Sequence, residues 1–206
     1  MTTHRSVSGS YFEAQYSRSR DPWGFESRWY ERRKHAMSLA MLPAERYRAA
    51  FEPGCSIGVL TAMLAGRCDS LLSCDCVAAA VEGAAARTRQ LSHVRIEKRT
   101  LPDDWPSGSF DLIVLSELLY YFDDADLAVL LKQAASALLA GGTLLAVHWR
   151  HPVPEHARSG DDAHAVLAQV PGLALLSRHV EPDFLAEVYL RGQGAPVSVA
   201  QATGLL

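Results

Sequence analysis

Short apolar runs alternate with helical patterns through the middle of the chain. The apolar runs cover residues 49–52, 71–74, 94–97, 110–115 and 143–149. The helical patterns between and after them cover residues 57–65, 77–91 and 123–139. Strands that alternate with helices predict a doubly wound α/β fold, in which helices cover both faces of a mostly parallel sheet.

The C-terminal part of the chain departs from this alternation. Residues 173–180 and 184–190 are strand-like and are joined by a tight link, which predicts an antiparallel hairpin at one edge of the sheet. A helix is expected before them over residues 161–170, with Ser159 or Asp161 as its cap. Residues 191–206 have no clear pattern and are predicted to form a loose tail.

The N-terminal part contains one helical pattern, over residues 26–42, which Pro43 ends. Residues 1–20 are polar and predict a mobile arm or the start of a lid. No repeat or low-complexity linker divides the chain, so we expect a single domain over residues 1–206. Its predicted parts are an arm and lid helix at 1–42, a core at 43–190 and the tail.

Composition narrows the class of protein. The chain has 206 residues, of which 49% are hydrophobic and 21% charged, with a net charge of −3. These values are typical of a globular protein and give no basic excess, so nucleic acid is a poor first partner. The sequence has neither a signal peptide pattern nor a run long enough to span a membrane, so we expect a cytoplasmic protein with free thiols.

A glycine-rich turn, Phe51-Glu52-Pro53-Gly54-Cys55-Ser56-Ile57-Gly58, follows the first predicted strand and opens a helix. Glycines at such a turn let the backbone approach a ligand, and the helix N-terminus adds free N–H groups. The dinucleotide fingerprint G-x-G-x-x-G is absent, which disfavours a pyrophosphate ligand. Asp75 closes the next strand, where an acid can accept both hydroxyls of a ribose or can simply cap a helix.

The same turn also spells G-x-S-x-G, the nucleophile elbow of α/β-hydrolases. In that fold several strands precede the elbow, because the nucleophile must reach the centre of the sheet. Here one strand candidate precedes Ser56, so a hydrolase is the weaker alternative.

Six segments together form a recognisable pattern: DPWGFESRWYERRKHAMSLAML, FEPGCSIGVLTAMLAGRCDSLLSCD, SGSFDLIVLSELLYYF, GGTLLAVHWRHP, SGDDAHAVL and DFLAEVY. Together these segments resemble class I S-adenosylmethionine-dependent methyltransferases, and most closely the nodulation protein S (NodS)-like family. They extend over roughly residues 21–190. The resemblance implies a Rossmann-like methyltransferase fold, in which a seven-stranded sheet with the antiparallel edge hairpin lies under an N-terminal helical lid.

The resemblance also implies which residues bind the methyl donor, S-adenosylmethionine. The methionine half would lie along the turn, and Asp75 would hold the ribose. Thr100 and Leu101 would lie beside the adenine, where many relatives carry an aspartate. Arg33 on the lid helix would pair with the donor carboxylate. The full set of expected donor-binding residues is Trp23, Tyr30, Arg33, Glu52, Gly54, Cys55, Ser56, Gly58, Asp75, Cys76, Thr100, Leu101 and Ser116.

Members of the resembled family methylate a free amine of a partly deacetylated chitooligosaccharide, so an amino sugar or another small amine is the expected acceptor. Glu117 could hydrogen-bond the amine, Tyr121 could pack against it, and His148 could take its proton. Each of these residues could instead be structural. Three alternatives remain open: a non-sugar acceptor, methyl transfer to oxygen instead of nitrogen, and an inactive relative that only binds the nucleotide.

The histidine spacing matches no zinc pattern, so no metal is expected. We also expect a monomer.

Overall fold

A computed structural model describes residues 5–206 and contains one seven-stranded sheet in the order β3-β2-β1-β4-β5-β7-β6. Its strands are β1 (Ala50–Pro53), β2 (Leu71–Asp75), β3 (Val94–Lys98), β4 (Phe110–Ser116), β5 (Leu138–Trp149), β6 (Leu173–Val180) and β7 (Phe184–Arg191). Strands β1 to β5 pair in parallel, whereas β7 pairs antiparallel with both β5 and β6. The predicted fold class, including the antiparallel edge hairpin, is confirmed.

Helices precede the sheet and connect its strands. They are α1 (Gly9–Arg18), α2 (Trp29–Met41), α3 (Val59–Ala65), α4 (Ala78–Thr88), α5 (Asp124–Ala137), α6 (Gly160–Leu167) and the short α7 (Val199–Ala202). A 3-10 turn, Leu119–Tyr121, follows β4. No helix among residues 5–206 has both the length and the apolar character needed to cross a bilayer.

The core has two layers, one on each face of the sheet. In β4, Ile113 and Leu115 face the layer that includes α5 and α6. Their neighbours Leu112 and Val114 face the other layer, which includes α3. Because successive side chains of a strand point to opposite faces, a continuous apolar run is what a strand covered on both sides requires.

The starts of α2 and β5 are among the element boundaries that differ from the prediction. Helix α2 begins at Trp29 rather than at residue 26, because the Asp21 carboxylate accepts the N–H groups of Gly24, Phe25 and Glu26 and holds a turn there. Strand β5 begins at Leu138, directly after α5, where the helical pattern was predicted to continue to residue 139.

The expected mobile N-terminal arm is largely helical. Helix α1 occupies residues 9–18, and Tyr16 on this helix is buried against the glycine-rich turn. The first four residues of the predicted arm lie outside the described residues. The predicted loose tail contains α7, which begins with a capping box between Ser198 and Gln201.

Candidate active site

A cavity of about 640 Å³ opens at the carboxyl ends of the parallel strands and is covered by α1 and α2. Strand carboxyl ends are where open α/β sheets bind their ligands. The predicted site residues that line this cavity are Trp23, Tyr30, Glu52, Gly54, Cys55, Ser56, Asp75, Cys76, Thr100, Leu101, Ser116, Glu117 and Tyr121. Three predicted site residues, Arg33, Gly58 and His148, lie outside it.

The glycine-rich turn is tied to the end of β2. The N–H groups of Gly54 and Cys55 both donate to the Cys74 carbonyl, at 2.7 and 2.9 Å, and the Ser56 N–H donates to Asp75 Oδ2 at 3.0 Å. Gly54 and Ser56 have φ angles of +73° and +51°. These left-handed conformations turn the chain sharply toward the cavity and favour glycine at position 54.

Asp75 lies at the end of β2 and lines the cavity beside this turn. Its Oδ1 accepts the Val77 N–H at 3.0 Å, and its Oδ2 accepts the Ser56 N–H. Burial raises the pKa of this carboxyl above its ordinary value, while these backbone donors act in the opposite direction. A carboxylate oxygen has two lone pairs, so each oxygen keeps acceptor capacity for a ligand hydroxyl.

Glu52 is a buried carboxyl group in β1 at the floor of the cavity. Its Oε2 accepts two hydrogen bonds, from Thr61 Oγ1 at 2.6 Å and from Ser73 Oγ at 2.8 Å. Burial raises the pKa of Glu52 to about 7, against the effect of these two hydroxyl donors. A cationic ligand beside Glu52 would favour its ionised form.

Glu117 follows β4 and is held by three donors. Its Oε1 accepts from Lys34 Nζ at 2.8 Å, and its Oε2 accepts from the Tyr120 hydroxyl and from the Trp149 N–H at 3.1 Å. Burial opposes ionisation of this carboxyl, but Lys34 and the two other donors outweigh it and lower its pKa. Glu117 therefore carries a negative charge, and its carboxylate is held by hydrogen-bond donors from three separate elements.

Sequence analysis did not select the α2 residues that reach the same region. Glu31, Lys34 and His35 are buried and line the cavity with Tyr30. Lys34 Nζ lies 2.9 Å from Glu31 Oε2 as well as 2.8 Å from Glu117. The spacing of these four α2 positions places them on one helix face, which is the only sequence signal that could have identified them.

Ser56 lacks the environment of a hydrolase nucleophile. Its hydroxyl is hydrogen-bonded to the Tyr16 hydroxyl at 2.6 Å, and no histidine among residues 5–206 hydrogen-bonds to it. A serine nucleophile requires a base within hydrogen-bonding distance. The hydrogen bond instead links helix α1 to the glycine-rich turn.

Arg33, which was predicted to pair with the donor carboxylate, is not among the residues that line the cavity. Its guanidinium makes two hydrogen bonds to the Glu181 carboxylate, at 2.8 and 2.6 Å, in the link between β6 and β7. Arg33 precedes Lys34, and neighbouring helical residues point in directions about 100° apart. The arginine of this segment that does line the cavity is Arg28.

His148, which was predicted to take a proton from the acceptor, is not among the residues that line the cavity. It is fully buried, and its Nε2 accepts the Leu119 N–H at 3.0 Å while Nδ1 lies 2.9 Å from His164 Nε2. His164 Nδ1 in turn lies 2.7 Å from Glu187. Burial holds the pKa of His148 well below its ordinary value, and both ring nitrogens are engaged away from the cavity.

Gly58 contributes to the site indirectly, through the packing of the helices behind the glycine-rich turn. With a φ angle of +76° it precedes α3 and packs against α4, where an added Cβ would lie 2.9 Å from Ala84 Cα. Gly58 therefore sets the close approach of two helices behind the turn.

Among the described residues, no group of three or more histidine, cysteine or acidic side chains is arranged to hold a metal ion.

Comparison with known sequences identifies a matching family and relatives that carry the same name. The family model described as nodulation protein S (NodS) matches residues 13–171. Nodulation protein S of Bradyrhizobium diazoefficiens is 32% identical over 127 residues, which are 61% of this chain and 61% of that protein. The Rhizobium tropici protein is also 32% identical over 127 residues, 53% of its length. The chain thus spans less than two thirds of these curated relatives.

Solved structures share the fold. A candidate methyltransferase from Pseudomonas syringae is 50% identical, with a TM-score of 0.71 over 80% of this chain and 100% of that one. The N-methyltransferase NodS from Bradyrhizobium japonicum WM9, in complex with S-adenosyl-L-homocysteine, is 24% identical, with a TM-score of 0.80. That match covers 88% of this chain and 97% of the other, and at this identity it shows likeness of fold.

Proposed function

The chain belongs to the nodulation protein S family, and from this premise we propose that it transfers the methyl group of S-adenosylmethionine to the nitrogen of a small-molecule amine. The observation that carries this proposal is the hydrogen bond between the Ser56 N–H and Asp75 Oδ2, which joins the glycine-rich turn to an acid at the cavity. The turn lets the backbone approach a ligand closely, and the acid beside it can accept hydrogen bonds from the two hydroxyls of a ribose.

The cavity residues fit this donor. Asp75 retains acceptor capacity for the ribose hydroxyls, and Glu52 offers a carboxyl group for the donor's ammonium group. Gly54 keeps the turn open, because a Cβ there would come within 3.1 Å of Leu118 Cδ1. Thr100 and Leu101 follow β3 at the same cavity, where an adenine would bind. Once bound, the donor supplies an electrophilic methyl group on a sulfonium.

The remaining wall of the cavity supports an amine acceptor that carries a sugar ring. Tyr120 stacks on His156 with ring centroids 4.0 Å apart, and Tyr121 packs edge-on against Phe12 of α1. These aromatic side chains give this wall apolar surface against which the apolar face of a sugar would pack. Glu117 adds a fixed negative charge beside them. We therefore propose a deacetylated amino sugar, such as a partly deacetylated chitooligosaccharide, as the acceptor.

Catalysis in this site would depend mainly on positioning and exclusion of water. Helices α1 and α2 cover the cavity, and the Tyr16 ring packs edge-on against Trp23 with centroids 5.6 Å apart. Orienting two bound reactants for an in-line displacement can contribute up to ~7–11 kcal/mol. A nucleophilic side chain on the protein is therefore unnecessary.

Calorimetric titration with S-adenosylhomocysteine tests the donor site. We expect the wild-type protein to bind, and Asp75→Ala to lose binding, because the substitution removes both the ribose acceptor and the anchor of the Ser56 N–H. Asp69→Ala is the matched control, since Asp69 is exposed and pairs with Arg46 outside the cavity. A folded wild-type protein that does not bind would contradict the proposal.

Incubation with S-adenosylmethionine and deacetylated chitobiose then tests the acceptor. Mass spectrometry is expected to show addition of one methyl group, and NMR of the product is expected to place it on nitrogen. A methyl group on oxygen would identify an O-methyltransferase. Donor binding without methylation of the sugar or of simple amines would instead indicate an inactive nucleotide-binding relative.

A further inference from the structure

One face of helix α2 carries polar groups that the protein itself leaves unpartnered or only partly partnered. Tyr30, Glu31, Lys34 and His35 all line the cavity. Among residues 5–206, the buried Tyr30 hydroxyl and His35 Nδ1 have no hydrogen-bond partner, and Glu31 Oε2 has Lys34 Nζ, 2.9 Å away, as its contact. Buried polar atoms are nearly always fully paired in folded proteins, so these incompletely paired groups on one face of α2 indicate a place for a polar ligand.

The two carboxylates of this region differ in how they are engaged. Glu117 receives hydrogen bonds from Lys34, the Tyr120 hydroxyl and the Trp149 N–H. Glu31, in contrast, has one donor, Lys34 Nζ, at 2.9 Å from its Oε2. Glu31 is therefore the carboxylate with capacity left for a new N–H donor.

The charges around Glu31 favour a cation as that donor. Of the charged residues that line this part of the cavity, Lys34 and Arg28 are positive, whereas Glu31, Glu117 and Asp183 are negative. The charged groups that act on Glu31 are Lys34, Glu117 and, more weakly, Arg28. His35 adds no charge, because burial and the neighbouring Lys34 lower its pKa to about 4.

We propose that Glu31 binds the ammonium group of the acceptor and removes one of its protons before methyl transfer. An N–H bond of the ammonium breaks, its electron pair remains on nitrogen, and the proton forms an O–H bond with the Glu31 carboxylate. A neutral amine results, which has the lone pair that a nucleophile needs. The unpartnered Tyr30 hydroxyl and His35 Nδ1 flank Glu31 on the helix and supply further acceptors for the other N–H groups.

The protonation states of the cluster are consistent with this assignment. Burial raises the pKa of Glu31, which makes it a stronger proton acceptor than an ordinary carboxylate. The pKa of Glu117 is lowered by Lys34, and the pKa of Lys34 is raised by the two carboxylates in spite of its burial. Lys34 and Glu117 therefore keep their charges, and Glu31 is the member of the cluster that can change its own.

This inference rests on the proposed function, and Glu31→Gln separates the two. The substitution keeps the size of the side chain and removes its basicity. We expect Glu31→Gln to bind S-adenosylhomocysteine as the wild type does, but to bind deacetylated chitobiose at least tenfold more weakly in calorimetry of the S-adenosylhomocysteine complex at pH 7. Glu82→Gln, at an exposed position of α4, is the matched control for removal of one carboxylate.

The rate of methylation of deacetylated chitobiose provides the second measurement. At pH 7 we expect Glu31→Gln to reduce kcat/KM roughly 100-fold, the usual scale for loss of a general base. At a pH high enough to deprotonate the sugar amine in solution, the variant should approach the wild-type rate, because the proton is already gone. Glu117→Gln, in contrast, should not be rescued by high pH, since Glu117 holds Lys34 in place.

The outcomes distinguish the proposals. Equal loss of activity by Glu31→Gln at both pH values, or unchanged sugar binding, would overturn the role of Glu31 and leave the proposed function intact. Absence of donor binding in the wild-type protein, or of methylation of both the sugar and simple amines, would overturn the proposed function and this inference with it.

Discussion

Lys34 Nζ lies 2.8 Å from Glu117 Oε1, so a buried ion pair connects helix α2 to the end of β4. Only 3% of the Lys34 side chain and 13% of the Glu117 side chain are exposed. The cation comes from the helix that covers the cavity, and the anion from the sheet that forms its floor. This ion pair therefore stabilises the fold and also holds helix α2 in its position over the cavity.

Lys34→Met should strongly destabilise the protein. The substitution preserves most of the apolar stem but leaves Glu31 and Glu117 buried together without their cation. Breaking a buried pair by removing one partner costs about 3–5 kcal/mol, and we expect the free energy of unfolding in urea to fall by about 3 kcal/mol. Lys132→Met, at an exposed position of α5, should change it by less than about 0.5 kcal/mol. Equal effects of the two substitutions would contradict the structural role of Lys34.

The sequence predicted the central strands of the sheet well because they are buried on both faces. Such strands are continuous apolar runs, as in β4, and the acid and glycines of the site follow two of them directly. The turn from Gly54 to Ser56 and Asp75 could therefore be placed at one edge before any contact was known. Strand order along that edge follows from the same α/β connectivity.

The helix that covers the site was predicted less well. A polar residue on a helix has the same sequence signature whether it faces solvent or a polar cavity, so Arg33 was selected and Lys34 was not. What separates them is the partner: Glu181 for Arg33 and Glu117 for Lys34, each far away in sequence. Local sequence patterns do not reveal which distant residue will become the partner.

His148 illustrates a signal that the sequence does contain. In β5, Leu144 and Ala146 point into the core layer of α5 and α6, and strand alternation places His148 on the same face. Its neighbour Trp149 points to the opposite face and lines the cavity. Alternation therefore favours a structural role for His148, although its partner His164 could not be named from the sequence.

The Tyr16–Ser56 hydrogen bond predicts that helix α1 contributes to donor binding. Tyr16→Phe and Ser56→Ala each remove the same 2.6 Å contact between α1 and the glycine-rich turn. Each single variant should weaken S-adenosylhomocysteine binding several-fold, corresponding to about 1 kcal/mol for one hydrogen bond. The double variant should lose no more than either single one, because partners in one contact are not additive. Strictly additive losses in calorimetry would show that the two hydroxyls act separately.

Gly58 should tolerate no side chain, and Gly141 provides a closely matched comparison. Both have left-handed φ angles, +76° and +74°, so alanine costs about 1 kcal/mol at either position through its backbone conformation. At Gly58 the new Cβ would also lie 2.9 Å from Ala84 Cα, whereas at Gly141 nothing lies within 4 Å.

We therefore expect Gly58→Ala to lose about 2 kcal/mol or more of unfolding free energy and to weaken S-adenosylhomocysteine binding, since α3 and the turn must shift. Gly141→Ala should lose about 1 kcal/mol and bind normally. Urea denaturation and calorimetry measure both effects. Indistinguishable variants would mean that α3 and α4 can separate without disturbing the site.

Glu52 predicts a specific dependence of stability on pH. Burial raises the pKa of this carboxyl to about 7 in the folded protein, above the ordinary value of 4.5 that applies when the chain is unfolded. Between these values the folded state holds a proton that the unfolded state has released. The contribution of Glu52 to stability therefore falls as pH rises through this window, because deprotonation favours the unfolded chain.

Glu52→Gln removes this dependence while keeping an oxygen that can accept from Thr61 and Ser73. One pKa unit corresponds to 1.36 kcal/mol, so the variant should gain on the order of 2 kcal/mol over the wild type between pH 5 and pH 8. Urea denaturation at the two pH values measures that gain. The same variant should bind S-adenosylhomocysteine more weakly at pH 8, because the ligand's ammonium group would lose a carboxylate partner. A stability difference that does not change with pH would show that Glu52 is already ionised in the folded protein without a ligand.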